Sequence, residues 1–488
     1  MMSEFWSRLE QMAKRFFTED ESKSSKSPRG ERDVPPIPST KKQPTAKLRP
    51  SENSEPIDVI PEFAFILETI RDGCPSLFVT GRAGTGKSTL IRFLREQLQG
   101  CVVVAPTGLA AINVGGSTIH SFFRLPPYIL NPEEMLLPSR HILPILTSLK
   151  VLIVDEVSMV KPDVVDCIDN MLKRACGKDR PFGGVQVVFV GDLLQLPPVV
   201  ADAESSKFYT SRYRSCSFFD ADVFHRLELP SVELTTVFRQ TSQDFISLLD
   251  RIRSNKDHRE AVAQINRTCF LQKPEAARSG MFLVTTNAMA FAINSGELNR
   301  LQTELHQFVA VVDGKADLDK DEFQAPRLLE LKVGAQVILV KNHKPQWVNG
   351  TLGRVVSIGQ SSIRVELSSS GNIVDVEREI WEKIEYRYDS NEKQIARKIT
   401  GTFKQFPMTL GWAITIHKSQ GMTLDSVRID LGDGAFCSGQ TYVALSRCRD
   451  IGGIQLDRPI SMRDVKADPR ILDFYANLQT IRRLPNSR

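Results

Sequence analysis

Residues 81–88 read Gly81-Arg-Ala-Gly-Thr-Gly-Lys-Ser88, and the fold is decided there. The stretch follows a short apolar run, Leu77-Phe-Val-Thr80, and leads into Thr89-Leu-Ile-Arg-Phe-Leu-Arg-Glu96, whose apolar residues have helical spacing. Strand, glycine-rich loop and helix thus come in the order that the pattern G-x-x-x-x-G-K-[ST] requires. Glycines let successive backbone N–H groups surround a β-phosphate, and the helix N-terminus adds partial positive charge. The candidate phosphate-binding residues are Gly81, Gly84, Thr85, Gly86, Lys87, Ser88 and Thr89. Lys87 can reach the β/γ-phosphates, and Ser88 can place its hydroxyl on Mg²⁺. A glycine-rich turn without a ligand would not need all three elements to agree. The rest of the chain is therefore read as something done with a nucleoside triphosphate.

The 488 residues predict two to four domains at about 100–200 residues each. Net charge is +5, from 63 basic and 58 acidic residues, which hints at a polyanionic partner and decides nothing alone. Eight scattered cysteines without a C-x-x-C pair read as reduced thiols rather than zinc ligands or disulfides. No apolar run reaches the roughly 18 residues of a membrane span, and the N-terminus lacks a signal-peptide core.

Residues 1–56 read as a disordered tail. Within it Phe5, Trp6, Leu9, Met12, Phe16 and Phe17 recur at roughly helical spacing. That segment is either a docking helix for a protein partner or a membrane surface, or a fraying helix with no specific role. Residues 21–55 are rich in Ser, Pro, Lys and Glu, a composition that cannot bury a core. From Ile57 the chain reads as folded, with a helix over 61–71 and a first strand over 76–80.

Cys101-Val-Val-Val-Ala105, Val151-Leu-Ile-Val154 and Val187-Val-Phe-Val190 are apolar throughout, as parallel strands buried on both faces should be. Polar residues follow them: Asp155-Glu156, then Gly191-Asp192. That is an open parallel α/β sheet with its ligand at the strand C-termini. After a phosphate loop, Asp155 reads as the carboxylate of the Mg²⁺ shell and Glu156 as the acceptor of a proton from the attacking water. A second α/β unit opens at Glu233-Leu-Thr-Thr-Val-Phe-Arg239-Gln240, has a strand and helix over 281–301, and carries no second phosphate loop. Short β-type runs at 335–340, 351–358 and 362–367 read as a small antiparallel barrel inserted into it. The α/β pattern resumes at Met408-Thr-Leu-Gly-Trp-Ala-Ile-Thr-Ile416.

Together with the loop, APTGLAAINVGGSTIHSFF (105–123), DEVSM (155–159), PFGGVQVVFVGDLLQLPPV (181–199), LTTVFRQ (234–240), GWAITIHKSQGMTLDSV (411–427) and GQTYVALSRC (439–448) come in order. They resemble the PIF (petite integration frequency) DNA helicases, in the RecD-like branch of superfamily 1. The resemblance covers nearly all of residues 60–460. It implies two RecA-like parallel-sheet P-loop domains in tandem, over 57–235 and over 236–320 with 406–488. A small β-barrel would be inserted at 321–405 and a wedge-like insertion at 124–150.

The resemblance also implies function. The chain would be an ATP- and Mg²⁺-dependent DNA helicase, translocating 5′ to 3′ on single strands and acting on forked or structured DNA, as a monomer. Gln195 would sense the γ-phosphate, and Arg239 and Arg447 would reach into the cleft from the second domain. Thr107, His120, Phe122, Asn349, Thr415, His417 and Lys418 would face single-stranded DNA. Phe122 reads equally as core, Trp347 as either, and His120 as a DNA contact ahead of a plain helix cap. The family's adenine-reading glutamine has no counterpart in Ile60-Pro-Glu-Phe-Ala-Phe-Ile-Leu-Glu68, so other triphosphates are open as substrates and Glu62 or a backbone group stands as the substitute. Alternatives are a RecD-like subunit of a larger complex, a DNA-binding ATPase switch, and a small-molecule phosphotransferase. Location would be cytoplasmic and nucleoid-associated in a bacterium, or nuclear or mitochondrial in a eukaryote. The pathway, whether replication, recombination, repair or telomere maintenance, is left open.

Overall fold

The computed structural model describes residues 59–126, 129–132, 142–200, 203–270, 280–314, 325–343, 345–389, 394–478 and 480–482. The expected tail and docking helix over 1–56, and part of the expected wedge over 124–150, lie outside them. The chain divides into two compact units, residues 1–73 and 74–488. The described element of the first is helix α1 (Pro61–Arg71), in the expected place. It starts on proline, whose missing N–H costs nothing at a first helical position, and stops where Gly73 takes a left-handed φ of +87°.

The second unit opens with β1 (Ser76–Gly81), α2 (Lys87–Gln97), β2 (Cys101–Ala105), α3 (Gly108–Asn113), β3 (Ser117–Thr118) and α4 (Ile119–Phe123). Then come α5 (Leu143–Ser148), β4 (Val151–Val154), α6 (Pro162–Cys176), β5 (Gln186–Gly191), α7 (Ala203–Arg212) and β6 (Ser231–Leu234). Strands β1 to β6 form a parallel sheet in the order β6-β1-β5-β4-β2-β3. Every residue of β1 and β4 is buried, as a sheet covered on both faces requires.

The second parallel domain begins with α8 (Gln243–Ser254), α9 (His258–Cys269), β7 (Met281–Val284) and α10 (Asn287–Arg300). The chain leaves it earlier than the expected residue 320. Strands β8 (His306–Val309) and β9 (Val311–Gly314) already pair with strands of the insertion: β10 (Leu328–Leu331), β11 (Gln336–Leu339), β12 (Leu352–Ile358), β13 (Ser362–Leu367), β14 (Ile373–Glu377), β15 (Glu379–Asp389) and β16 (Gln394–Gln405).

The insertion also ends later than residue 405. The run expected to resume the α/β pattern is broken at Gly411. Strand β17 (Met408–Leu410) pairs antiparallel with β11, and β18 (Ala413–Thr415) pairs parallel with β7. A Cβ at Gly411 would lie 2.6 Å from the Val337 carbonyl carbon, so only glycine lets the chain pass so close to β11. The strands around β11 enclose one core of Leu329, Val337, Leu339, Val365 and Phe406. The long hairpin β15–β16 reaches away from it, and Tyr386 joins the core of the first parallel domain.

The chain closes with β19 (Val427–Asp430), α11 (Gln440–Leu445), β20 (Ile454–Leu456), α12 (Pro469–Asn477) and β21 (Thr480–Arg482). The second parallel sheet has the order β18-β7-β19-β20. The end of the chain corrects the expectation that residues 406–488 stay with it. Strand β21 pairs with β6, and the α12 ring of Phe474 stacks on Phe219 at 4.3 Å. An apolar face on α12 (Ile471, Phe474, Tyr475) needs a core, and it finds the first domain's.

Candidate nucleotide site and nucleic-acid surface

The phosphate loop follows β1 as its residue types require. Gly84 (φ +83°) and Gly86 (φ +84°) take left-handed conformations that a side chain would resist. A Cβ on Gly84 would also stand 2.5 Å from Arg239 Cβ, and one on Gly81 would stand 2.6 Å from Thr85 Oγ1. Thr85 is buried and donates to the Arg82 carbonyl at 3.0 Å, bracing the loop. Lys87 Nζ donates to the carbonyls of Gly81 (2.7 Å) and Arg82 (2.9 Å). Burial lowers its pKa, while the carboxylates of Asp192, Glu156 and Asp155 pull the other way. Ser88 is exposed and Thr89 half-buried on the first turn of α2.

Asp155 and Glu156 follow β4. Asp155 is buried, and its Oδ1 accepts the Glu156 N–H at 2.8 Å. Glu156 takes φ +47°, uncommon for a side-chain-bearing residue. Burial raises both carboxyl pKa values, and the Glu156 charge raises that of Asp155 further. Buried Asp155 and half-buried Glu156, set against Lys87, suit a divalent cation. Among the described residues no group of three or more His, Cys, Asp and Glu could hold a metal alone. Mg²⁺ keeps waters and takes one or two carboxylates with substrate phosphates. Asp155 and the Ser88 hydroxyl would hold it.

Strand β5 ends at Gly191 and delivers Asp192 and Gln195, both buried. Gln195 Nε2 donates to Asp192 Oδ2 at 3.2 Å. Asp192 also accepts from Arg253 of α8: Nη2 lies 2.8 Å from Oδ1 and Nε 3.1 Å from Oδ2. Arg253 and Lys87 outweigh burial, so Asp192 stays below the usual carboxylate range. Further contacts cross the same cleft. Arg82 pairs with Asp250 at 2.8 Å, the Ala83 N–H donates to the Tyr442 hydroxyl at 3.1 Å, and Gln420 Nε2 donates to Glu156 Oε2 at 3.0 Å.

The two expected arginines sit at this cleft but hydrogen-bond within their own half. Arg447 is 1% exposed and donates to the carbonyls of Val443 (2.9 Å) and Ser419 (3.2 Å) and to Ser446 Oγ (3.0 Å). Arg239 donates to the Ser446 carbonyl at 3.2 Å. Burial and the neighbouring Arg239 charge lower the Arg447 pKa to about 9. A phosphoryl group arriving between them would relieve that repulsion.

The expected DNA-facing residues divide. Lys418 is exposed, and His417 is half-buried with its ring parallel to that of exposed Phe436. Thr415 is buried, and its Oγ1 caps the Lys418 N–H at 3.2 Å. Thr107 is the N-cap of α3, accepting from Ala110 N at 3.3 Å. His120 is half-buried on α4, and desolvation lowers its pKa. The Asn349 N–H donates to Asn342 Oδ1 at 2.7 Å, and its own side-chain oxygen has no partner among the described residues. Trp347 is 5% exposed, stacks on His343 and donates to the Lys341 carbonyl, which is a core role. Phe122 is corrected: at 6% exposure it packs edge-on against Phe123 and Tyr386, so its ring is core and not a free stacking face. The hairpin carrying Tyr386 covers it.

The structure adds Asp192, Arg253, Gln420, Tyr442 and Tyr475 to the residues expected at the site. Asp192 ends an apolar strand just as Asp155 does, and that signal was available. Arg253 reads as a solvated cation in a helix's last turn, and nothing local distinguishes it.

The model of the family "PIF1-like helicase" matches residues 62–262, and that of "DNA helicase Pif1, 2B domain" matches residues 320–358. The ATP-dependent DNA helicase PIF1 of Homo sapiens is 33% identical over 439 residues, which is 87% of this chain and 64% of that protein. The chain thus spans just under two thirds of the human relative's length. The ATP-dependent DNA helicase PIF1 of Danio rerio is 33% identical over 474 residues, 93% of this chain and 70% of that protein. Pif1 from Bacteroides sp in complex with ADP-AlF4 has a TM-score of 0.79 at 36% identity, covering 86% of this chain and 97% of that one. Bacteroides Pif1 bound to ssDNA has a TM-score of 0.61 at 36% identity, covering 87% and 97%. Motif order, two parallel domains around one phosphate loop, and these matches together make the chain a member of the PIF1-like helicase family.

Proposed function

We propose that this chain is an ATP-dependent DNA helicase that translocates on single-stranded DNA, 5′ to 3′, and unwinds forked or structured DNA as a monomer. The observation that carries this reading is the Gln420–Glu156 hydrogen bond at 3.0 Å. It ties the proposed water-activating carboxylate to the segment 411–427, which also carries Thr415, His417 and exposed Lys418. A strand held there is thereby one side chain away from the hydrolytic site. The relatives' names, and Bacteroides structures with ADP-AlF4 and with ssDNA, support the same reading.

In the mechanism this supports, the loop N–H groups and Lys87 bind the β- and γ-phosphates. Asp155 and Ser88 would hold Mg²⁺, which would supply positive charge to offset that developing on those phosphates. Glu156 accepts the proton of the attacking water, and Gln195 senses the γ-phosphate. Arg239 and Arg447 stabilise the transferring group, and an arginine so placed is worth roughly 10³–10⁵ in rate in related enzymes. Arginines that reach the phosphate only in a closed cleft turn hydrolysis into domain motion. Lys418 would hold the DNA backbone, with the His417 ring offered to a base, a contact worth about 1–3 kcal/mol.

Strand displacement on 5′-tailed and 3′-tailed partial duplexes tests the proposal. Unwinding of the 5′-tailed substrate alone, dependent on ATP and Mg²⁺, is expected. Preference for the 3′ tail would overturn the polarity, and no unwinding of either would favour an ATPase switch.

A further inference from the structure

The loop that follows β5 is held from the other parallel domain. Asp192 is completely buried, and its two oxygens are shared by the Leu194 N–H (3.2 Å), Gln195 Nε2 (3.2 Å) and the Nε and Nη2 of Arg253. A carboxylate only accepts hydrogen bonds, so it selects the nitrogen end of the Gln195 amide. The orientation of the amide is thereby set by Asp192. Arg253 comes from α8, in the other parallel domain. Its guanidinium also lies over the Tyr475 ring at 5.8 Å, and the Tyr475 hydroxyl accepts the Leu193 N–H at 3.1 Å. One helical turn earlier, on the same face of α8, Asp250 grips Arg82 of the phosphate loop. Helix α8 therefore holds the phosphate loop and the Gln195 loop at once, while Arg239 and Arg447 bond within their own half.

We propose that Arg253 is a positioning residue: acting through Asp192, it orients the Gln195 amide and so makes hydrolysis depend on where the second parallel domain stands. This inference rests on the ATPase reading above. Arg253 engages Asp192 through both Nε and Nη2. It carries the position of α8 into the angle of one amide.

The test is steady-state ATPase of the full chain with a saturating oligonucleotide, for Arg253→Gln, Arg253→Lys, Gln195→Ala and the double variant Arg253→Gln/Gln195→Ala. Arg253→Gln is expected to lower DNA-stimulated kcat by about a hundredfold, the scale of a small misplacement. KM for ATP and Kd for a labelled single strand should stay within about twofold. Arg253→Lys should recover part of the rate, since it keeps the charge and loses the two-pronged geometry. The double variant should be no slower than Gln195→Ala alone, because both changes act through one amide. Losses that multiply in the double variant, or a KM that rises in step with a falling Tm, would overturn the proposal. If Arg253→Gln does not fold, Arg253→Lys with and without Gln195→Ala decides by the same comparison. A wild-type chain without ATPase would sink the functional reading itself. A DNA-stimulated wild type beside an unimpaired Arg253→Gln would sink this inference alone.

Discussion

Gln420 Nε2 and Glu156 Oε2 lie 3.0 Å apart, although 264 positions separate them in the chain. Glu156 belongs to the first parallel domain and Gln420 to the segment after β18 in the second. A hydrogen bond to a charged group contributes about 1.5–3 kcal/mol, or roughly ten- to a hundredfold in rate if it acts in the transition state. Gln420→Ala is therefore expected to lower DNA-stimulated turnover by about tenfold or more while ATP binding is retained. Turnover at the wild-type level in a DNA-activated ATPase assay would remove this coupling.

Lys87 Nζ donates to two carbonyls of its own loop, which places its charge at the phosphate site. Lys87→Ala should abolish hydrolysis and leave single-strand binding nearly intact. Fluorescence anisotropy beside the ATPase assay separates the two, and equal loss of both would mean that the site assignment is wrong.

The carboxyl pair makes stability depend on pH. Burial and the Glu156 charge push Asp155 up to about 8, against about 4 in an unfolded chain. A carboxyl raised on folding stabilises the fold below its unfolded pKa and loses that contribution as pH rises through the folded one. Without nucleotide, Asp155→Asn should thus melt higher than wild type by a margin that widens from about pH 5 to about pH 9. Added Mg²⁺ and nucleotide should narrow it. Thermal melts across that range check this, and a margin independent of pH would contradict the assignment.

Phe122 offers a structural test. Removing a buried phenylalanine costs about 3–5 kcal/mol, so Phe122→Ala should destabilise the chain by that order in chemical denaturation. Phe122→Leu should cost much less and keep DNA affinity. Full stability with weakened DNA binding in Phe122→Ala would restore the stacking role.

What was legible in the sequence follows the range of the interactions. Strands β1, β2, β4 and β5 were readable because a parallel strand covered on both faces must be apolar along its length. The phosphate loop was readable because its glycines and lysine are fixed by local backbone geometry. The return of α12 and β21 to the first sheet was not. Thr480-Ile-Arg482 looks like any short strand, and its partner β6 is about half the chain away. Gly411 hid a boundary inside one apolar run, since the packing that demands a glycine there comes from Val337. Phe122 could not be assigned until Tyr386 was seen on top of it. Arg253 carries no local mark, because its buried partner lies in another domain.

The most direct test of the account is the ATPase rate with and without single-stranded DNA, with Glu156→Gln as the control. Strong stimulation by DNA, lost in Glu156→Gln, is the predicted result. A rate indifferent to DNA, or one that persists without the Glu156 carboxylate, would contradict a DNA-driven motor built on this site.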